Sequence, residues 1–351
     1  MKIICVILTC ILLLSPLSVL FVGALDTVPE NNTLAITGPT ASGKTALSLM
    51  LARELGCEII CCDSMQIYRE MNIGTAKATP EERDACPHHM LDFLSPLECY
   101  SSEDYRIDAM VALREIEKRG AVPLFVGGTG LYIDTVIRGG AVLSPPSSDE
   151  LKRSLLDNVK TDEDKTALWE RLRAVDPVSA EKIHKNNVRR VARALEIYEL
   201  TGKTKTYYDE LSLNVSPNVS VGMITLDFHN RDNLYERVDM RVDQMMREGL
   251  LDEVTSLYER GLLLADTTAA QAIGYKEIIS YLNGEITLDE AVEMIKLSTR
   301  RYAKRQLTWF RHCDAERIYV DCENGRMKSK DELKNELVAA ARRLMACGIK
   351  E

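Results

Sequence analysis

The stretch Gly38-Pro39-Thr40-Ala41-Ser42-Gly43-Lys44-Thr45 fits the spacing G-x-x-x-x-G-K-[ST], and no other feature of the 351-residue chain restricts its fold as tightly. That spacing requires a strand before it and a helix after it. Both are legible: Thr33-Leu34-Ala35-Ile36-Thr37 reads as a short buried strand, and residues 46–52 read as a helix. The glycines let the backbone turn so that successive N–H groups and the helix N-terminus point at phosphate oxygens. Lys44 adds a positive charge, and the Thr45 hydroxyl can hold Mg²⁺. The loop therefore predicts a di- or triphosphate site without saying which compound fills it.

The rest of the chain predicts an α/β fold: a P-loop NTPase-like core with a parallel sheet, plus a helical insertion domain. A second strand, residues 58–62, ends at Asp63-Ser64-Met65-Gln66. In an open α/β sheet functional groups gather at the carboxyl ends of strands, so Asp63 is placed either for chemistry or to cap the next helix. Gly74-Thr75-Ala76-Lys77 predicts a glycine-containing loop and residues 87–92 a turn. His88 and His89 lack a third ligand at suitable spacing, so a structural or substrate-lining role is expected rather than metal binding. Ser101 to Asp104 resembles a capping box, before an amphipathic helix ending near Arg119-Gly120. A third strand, residues 122–126, runs into Gly127-Gly128-Thr129-Gly130, which is either a close approach to phosphate or substrate or an ordinary turn.

The composition changes near Gly139-Gly140 and Ser144-Pro145-Pro146, which sets four segments. Residues 1–32 are a hydrophobic extension, 33–140 the first part of the core, 141–216 a charged helical insertion, and 217–351 the completion of the core with basic C-terminal helices. In the last segment, residues 219–228 read as a strand returning to the sheet and residues 236–246 as a helix whose Met and Val spacing is that of core packing. Ser329 to Glu332 starts a final helix that runs to about Met345.

A net charge of −9 argues against nucleic acid only if the basic residues are scattered, and they are not. Lys182, Lys185, Arg189, Arg190 and Arg193 form one acid-free stretch. Lys296, Arg300, Arg301, Lys304, Arg305 and Arg311 form another, interleaved with Tyr302, Trp309 and Phe310. Such stretches are either solvated helix faces over core aromatics, or cations for phosphates beside aromatics for unpaired bases. The ten cysteines suit neither a zinc site nor a disulfide framework, so reduced thiols in a cytoplasmic protein are expected. The uncharged run from Ile3 to Leu25 is a signal peptide, a membrane span or, as we prefer, the product of a start assigned too far upstream. Membrane association is not expected.

Taken together, G-P-T-A-S-G-K-T, D-S-M-Q-I-Y-R, G-T-A-K, H-H-M-L-D, V-G-G-T-G-L-Y, R-R-V-A-R-A-L-E, Q-A-I-G-Y-K-E and T-R-R-Y-A-K-R-Q-L-T-W-F-R, spread over residues 33–315, resemble the bacterial tRNA dimethylallyltransferase family. The resemblance implies transfer of a dimethylallyl group from dimethylallyl diphosphate to the exocyclic amine of the adenosine 3′-adjacent to the anticodon, in tRNAs reading codons that begin with U. It implies that the loop from Gly38 to Thr45 grips the diphosphate with Mg²⁺ at Thr45, that Asp63 acts as base, that Lys44 and Arg241 steady the leaving group, and that Thr129 lies beside the reacting adenosine.

Contacts to the tRNA anticodon stem-loop are implied for Asp63, Ser64, Met65, Gln66, Thr129, Arg189, Arg190, Arg193, Gln271, Gly274, Arg300, Lys304, Arg305, Gln306 and Arg311, with the protein a monomer. Ala78 stands where the family usually has Pro, with Pro80 two residues later, which is expected to alter only a local turn. The sequence carries no C-terminal C-x-x-C with paired histidines such as marks the eukaryotic relatives. A small-molecule kinase, an adenylate isopentenyltransferase and a non-catalytic RNA-binding switch are the competing readings. The C-terminal basic stretch counts against the first two, and the third lacks a recognisable metal carboxylate on the second strand and a base-specificity motif.

Overall fold

The computed structural model describes residues 33–138, 145–213, 219–265 and 267–347. The hydrophobic N-terminal run and the Gly139-Gly140 part of the predicted boundary lie outside them. No helix among the described residues is long and apolar enough to cross a membrane.

Six strands form one sheet in the order β3-β2-β4-β1-β5-β6: β1 (Thr33–Thr37), β2 (Cys57–Cys62), β3 (His88–His89), β4 (Val122–Gly127), β5 (Val221–Asp227) and β6 (Glu316–Tyr319). Every pairing is parallel. A parallel sheet carries helices on both faces, which is why β1 and β4 are apolar almost throughout instead of alternating. The first half carries α1 (Lys44–Leu55), α2 (Pro80–Ala85), α3 (Ser102–Lys118) and α4 (Gly130–Arg138). The helices α5 (Asp149–Leu156), α6 (Asp162–Val175), α7 (Pro177–Lys182), α8 (Val188–Thr201) and α9 (Lys205–Leu213) then follow one another with no strand among the described residues between them. After β5 come α10 (Arg231–Arg247), α11 (Leu250–Glu259), α12 (Tyr275–Leu282), α13 (Leu288–Phe310) and, beyond β6, α14 (Lys330–Cys347).

The core is divided accordingly. Leu34, Ile36, Leu51 and Leu226 pack on one face of the sheet with Leu337 and Ala341 of α14, while Ile60, Phe125, Tyr105 and Tyr132 fill the other. A third cluster, including Tyr68, Val254 and Tyr275, joins the segment after β2 to α10–α13. A fourth lies wholly within α5–α8 around Leu172 and Leu195.

Three expectations need correction. His88 and His89 are not in a turn: they form the edge strand β3, where His89 Nε2 pairs with Glu58 Oε2 at 2.7 Å and His88 Nδ1 meets the Cys86 carbonyl at 2.7 Å. The histidines thus serve the sheet edge. The Ala78-Thr79-Pro80 departure from the family pattern, expected to alter only a local turn, starts a helix instead: Pro80 is the first residue of α2, where its missing N–H has no intrahelical partner to lose, and Thr79 caps that helix with Glu82. Met240 on α10 is exposed instead of packed, whereas Val238 and Val242 are buried as expected.

The sheet tolerates no side chain where β4 leaves it. A Cβ on Gly127 would lie 2.1 Å from the Cys62 carbonyl oxygen of the neighbouring strand. Gly127→Ala is therefore expected to cost about 1–3 kcal/mol of stability, by overpacking against backbone that cannot rotate away. A urea unfolding midpoint equal to that of the parent protein would show that the strand ends are looser than this.

Candidate active site

The sheet order places β1 between β4 and β5, with β2 on the far side of β4. The loops after β1, β4 and β2 therefore leave the same edge of the sheet side by side, and each carries part of the site. Together with segments from α10, α12 and α13 they enclose a cavity of about 600 Å³.

The loop after β1 is strained where a phosphate cradle must be. Gly38 has φ +138° and Gly43 φ +94°, and Ala41 between them is a non-glycine at φ +62°. Gly38 also has no space for a side chain, since a Cβ would meet the Leu226 carbonyl oxygen at 2.7 Å. Such strain persists only where the surroundings over-determine it. Two side chains from the second half of the chain do so. Arg237 Nε donates to the Ala41 carbonyl at 2.7 Å, and the Gln306 carboxamide bridges two loops, accepting from Thr40 N at 2.8 Å and donating to Gly128 O at 3.0 Å. Gln306, predicted as a tRNA contact, is buried, and it lines the cavity while tying the first glycine loop to the second.

Lys44 Nζ donates to the Gly38 and Pro39 carbonyls at 3.0 and 2.7 Å. Burial, reinforced by Arg241, brings its ammonium down to about 7, against a smaller pull upward from Asp63. Burial likewise lowers the Arg241 and Arg237 guanidinium groups from their ordinary values, with Asp63 opposing the shift at Arg241. Lys44, Arg241 and Asp63 thus share one field, in which both cations are held against their preference for water. The Ser42 hydroxyl is buried with no hydrogen-bond partner. An oxygen-rich anion in the cradle would relieve all three costs.

Asp63 begins the turn after β2. Its Oδ1 accepts from Met65 N at 2.9 Å and Gln66 N at 3.4 Å, so it caps a turn and still lines the cavity. Ser64 N donates to Thr129 Oγ1 at 3.2 Å, which ties the turn to the loop after β4. Gln66 accepts from the Cys61 thiol and donates through Nε2 to the Thr75 and Ala76 carbonyls at 3.0 and 3.3 Å. Tyr302 reaches the same place, and burial with the Asp63 charge pushes its phenol up to about 12. Thr45, Met65, Gln271, Gly274 and Arg305 also line the cavity, with Val242, Met245, Ile273 and Ile295 giving it an apolar portion.

The basic residues divide. Arg300 pairs with Asp239 at 2.6 Å and Lys296 with Asp243 at 2.8 Å, both across to α10, and Lys185 pairs with Asp162 at 2.7 Å. Arg193 donates to the carbonyls of Pro145 and Pro146 and to the buried Glu196, pinning the start of the helical segment. The stretches are acid-free in sequence but not in space. Arg189, Arg190, Lys304, Arg305 and Arg311 are exposed. Arg190 of α8 meets Lys304, Arg305 and the exposed Trp309 of α13 around a second cleft of about 510 Å³. Of the interleaved aromatics, Phe310 is core, Tyr302 faces the main cavity and Trp309 alone is open to solvent.

Arg237 was missed by sequence reasoning. Its signal was present, four residues before Arg241 on a predicted helix and so on the same face. Glu253, which holds the Gly74 loop, had no signal beyond its charge.

The family model described as IPP transferase matches residues 66–313, and that described as isopentenyl transferase matches residues 31–92. A tRNA dimethylallyltransferase of Thermoanaerobacter sp. (strain X514) is 44% identical over 305 residues, 86% of this chain and 95% of that protein. One from Anoxybacillus flavithermus is 48% identical over 280 residues, 80% and 87% of the two chains. The crystal structure of the full-length tRNA isopentenylpyrophosphate transferase from Bacillus halodurans superposes with a TM-score of 0.67 at 41% identity, covering 91% of this chain and 98% of that one. A eukaryotic dimethylallyltransferase captured acting on tRNA gives 0.68 at 30% identity, covering 82% and 73%.

Replacing Gln306 by Leu leaves the Thr40 N–H and the Gly128 carbonyl without their partner at nearly unchanged volume. A loss of about 1–3 kcal/mol in denaturant unfolding is expected, the cost of buried polar groups left unpaired. A loss below about 0.3 kcal/mol would mean that water replaces the bridge at no cost.

Proposed function

The chain belongs to the IPP transferase family, and from that premise we propose that it moves a dimethylallyl group from dimethylallyl diphosphate to N6 of the adenosine 3′-adjacent to the anticodon in tRNAs reading codons that begin with U. It is a transferase that prenylates tRNA. The observation that carries the finer reading is the meeting, in one cavity, of a strained cationic phosphate loop with Asp63, whose turn is tied through Ser64 N to Thr129 after the neighbouring strand.

The exocyclic amine of adenosine is a weak nucleophile because its lone pair is delocalised into the ring. A carboxylate that takes its proton as the C–N bond forms therefore lowers the barrier. Asp63 takes that role, oriented by the two amides on Oδ1 with its other oxygen available to the amine. As nitrogen bonds to the first allyl carbon, the bond from that carbon to the bridging oxygen breaks and diphosphate leaves with the electron pair. Lys44, Arg241 and the loop amides stabilise the charge on that oxygen without reorganising. Thr129 and the Ser64-Met65-Gln66 turn hold the nucleotide, which must leave its stack to enter the cavity. The apolar portion takes the prenyl group.

The donor set suits Mg²⁺. No group of three or more His, Cys, Asp or Glu among the described residues is assembled for a metal. The Thr45 hydroxyl and the unpartnered Ser42 hydroxyl are the hard oxygen donors a diphosphate-bound Mg²⁺ would use beside phosphate and water. When bound, the ion would neutralise part of the leaving-group charge. Arg189, Arg190, Lys304, Arg305 and Arg311 remain as phosphate contacts for the anticodon stem-loop, and Gln271 and Gly274 stand at the cavity wall. We place the protein in the cytoplasm as a monomer. Its substrate is there, and among the described residues the thiols at Cys57, Cys61, Cys62, Cys86, Cys99 and Cys322 form no disulfide.

Incubation with unmodified tRNA, dimethylallyl diphosphate and Mg²⁺, followed by mass analysis of the digested nucleosides, is expected to show one prenyl group on that adenosine. Asp63→Ala is expected to lower the rate by about a hundred- to ten-thousandfold, the range lost with a general base. Gain on free AMP and not on tRNA would overturn the assignment.

Binding of dimethylallyl diphosphate should also take up protons. Burial brings the Lys44 ammonium down to about 7, and an adjacent diphosphate raises it again. Calorimetry in buffers of different ionisation enthalpy is expected to report uptake approaching roughly 0.9 proton at pH 8, and none in Lys44→Met. Equal uptake in both proteins would assign the proton to another group.

A further inference from the structure

Glu253 lies on α11, outside every motif that marks the site, and its carboxylate is fully engaged with other parts of the chain. Its Oε2 accepts from Asn72 N at 2.9 Å and Ile73 N at 2.8 Å, and its Oε1 accepts from Gly74 N at 3.1 Å and the Tyr275 hydroxyl at 2.6 Å. Three successive amides pointing at one anion form a nest of the type that ordinarily receives a ligand. Here a side chain about 180 residues further along the chain fills it.

Both segments so joined are walls of the main cavity. Gly74, Thr75 and Ala76 line it on one side, and the segment Gln271–Gly274, which leads directly into Tyr275, lines it on another. The first loop is in a shape it would not hold unaided. Ala76 is a non-glycine at φ +47°, and a Cβ on Gly74 would lie 2.5 Å from the Tyr275 ring, so loop and ring are in direct contact. Tyr275 is fully buried, and its burial beside the carboxylate raises its phenol far above the ordinary range, which keeps it a donor.

The loop also reaches the chemistry. Its Thr75 and Ala76 carbonyls hold the Gln66 side chain, while Gln66 N donates to Asp63 Oδ1 at 3.4 Å. A continuous run of hydrogen bonds therefore connects Glu253 to the carboxylate to which the base role is given.

We propose that Glu253 is a positioning residue for prenyl transfer, fixing two cavity walls against each other and, through Gln66, setting the place of the Asp63 carboxylate. The inference rests on the reading of the site given under Proposed function. It places the carboxylate in the enzyme's geometry and not in contact with either substrate.

Glu253→Gln keeps the size of the side chain and replaces one acceptor oxygen by an NH₂ that faces N–H donors. In the full chain, kcat for transfer to tRNA is expected to fall about ten- to a hundredfold, the range that misplacement of about 1 Å produces, with KM for tRNA within about twofold of the parent. Glu253→Asp, which keeps charge and both acceptors, is expected to recover part of that loss. Tyr275→Phe, which removes one donor of the four, is expected to lose less. Hydrogen exchange of the Asn72, Ile73 and Gly74 amides gives a readout independent of turnover, and it is expected to quicken at least about tenfold in Glu253→Gln while the strand amides are unchanged.

Parental kcat in folded Glu253→Gln, or a loss matched by a rise in KM for tRNA alone, would overturn the proposal. If Glu253→Gln does not fold, parental kcat together with parental exchange in Tyr275→Phe would overturn it. Parent protein that adds no prenyl group to tRNA would instead overturn the reading under Proposed function, and exchange at residues 72–74 would still test the clamp.

Discussion

Lys44 is held in surroundings where its charge is not welcome, and much of the site depends on keeping it there. Burial, with Arg241 reinforcing it, brings its ammonium down to about 7, and Asp63 exerts the largest opposing pull. Left to itself, a loop would relieve this by opening to water. It is prevented from doing so by groups contributed from far along the chain. Arg237 bonds the Ala41 carbonyl, Gln306 bonds Thr40 N, and Leu226 of β5 closes over Gly38. Electrostatic stabilisation of a departing diphosphate is effective because the donors and cations are already in place and dry. The cost appears as strained φ angles, lowered cation pKa values and an unpartnered serine hydroxyl.

This division of labour explains which parts of the site were legible in the sequence. Gly38 to Thr45, Asp63 and Thr129 come after strands whose apolar runs are plain, so their position at strand ends could be argued from pattern and topology alone. The parallel sheet and the strand-poor helical segment could be read for the same reason. Of the groups that tension these loops, Arg237 left a signal four residues before Arg241 and Gln306 left none. Gln306 lies in a stretch whose visible property is charge, and its contacts with Thr40 and Gly128 span 266 and 178 residues. The edge strands β3 and β6 escaped as well. His88–His89 and Glu316–Tyr319 are too short for any alternation to register, and both exist because a neighbouring strand offers them a ladder.

Charge showed the same limit. Acid-free stretches suggested surfaces for phosphate, yet Lys185, Lys296 and Arg300 are matched by acids on other helices and Arg193 is taken up by Glu196 and two proline carbonyls. The exposed Lys185–Asp162 pair contributes little to stability, while the half-buried pairs to α10 fix the place of the helix that carries the remaining cations. Periodicity along one helix cannot reveal the first three, because their acids come from α6 and α10, whereas Arg193 and Glu196 share α8 at i and i+3.

The arrangement of the remaining cations is more specific than the two basic stretches suggest. Arg190 stands on the helical segment, and Lys304, Arg305 and Trp309 stand on a helix more than a hundred residues later, yet all four border one cleft. Arg305 also lines the main cavity, as do Tyr302 and Gln306 on the same face of α13. A single helix therefore presents its cations and its open indole outward while its polar residues at i and i+4, Tyr302 and Gln306, reach the Thr129 loop and the phosphate loop. On the function proposed above, recognition of a polyanion on the surface and placement of a base inside the cavity would then fall to one rigid element. A change in how α13 packs against α10 would move both together, and the Arg300–Asp239 and Lys296–Asp243 pairs sit at that contact.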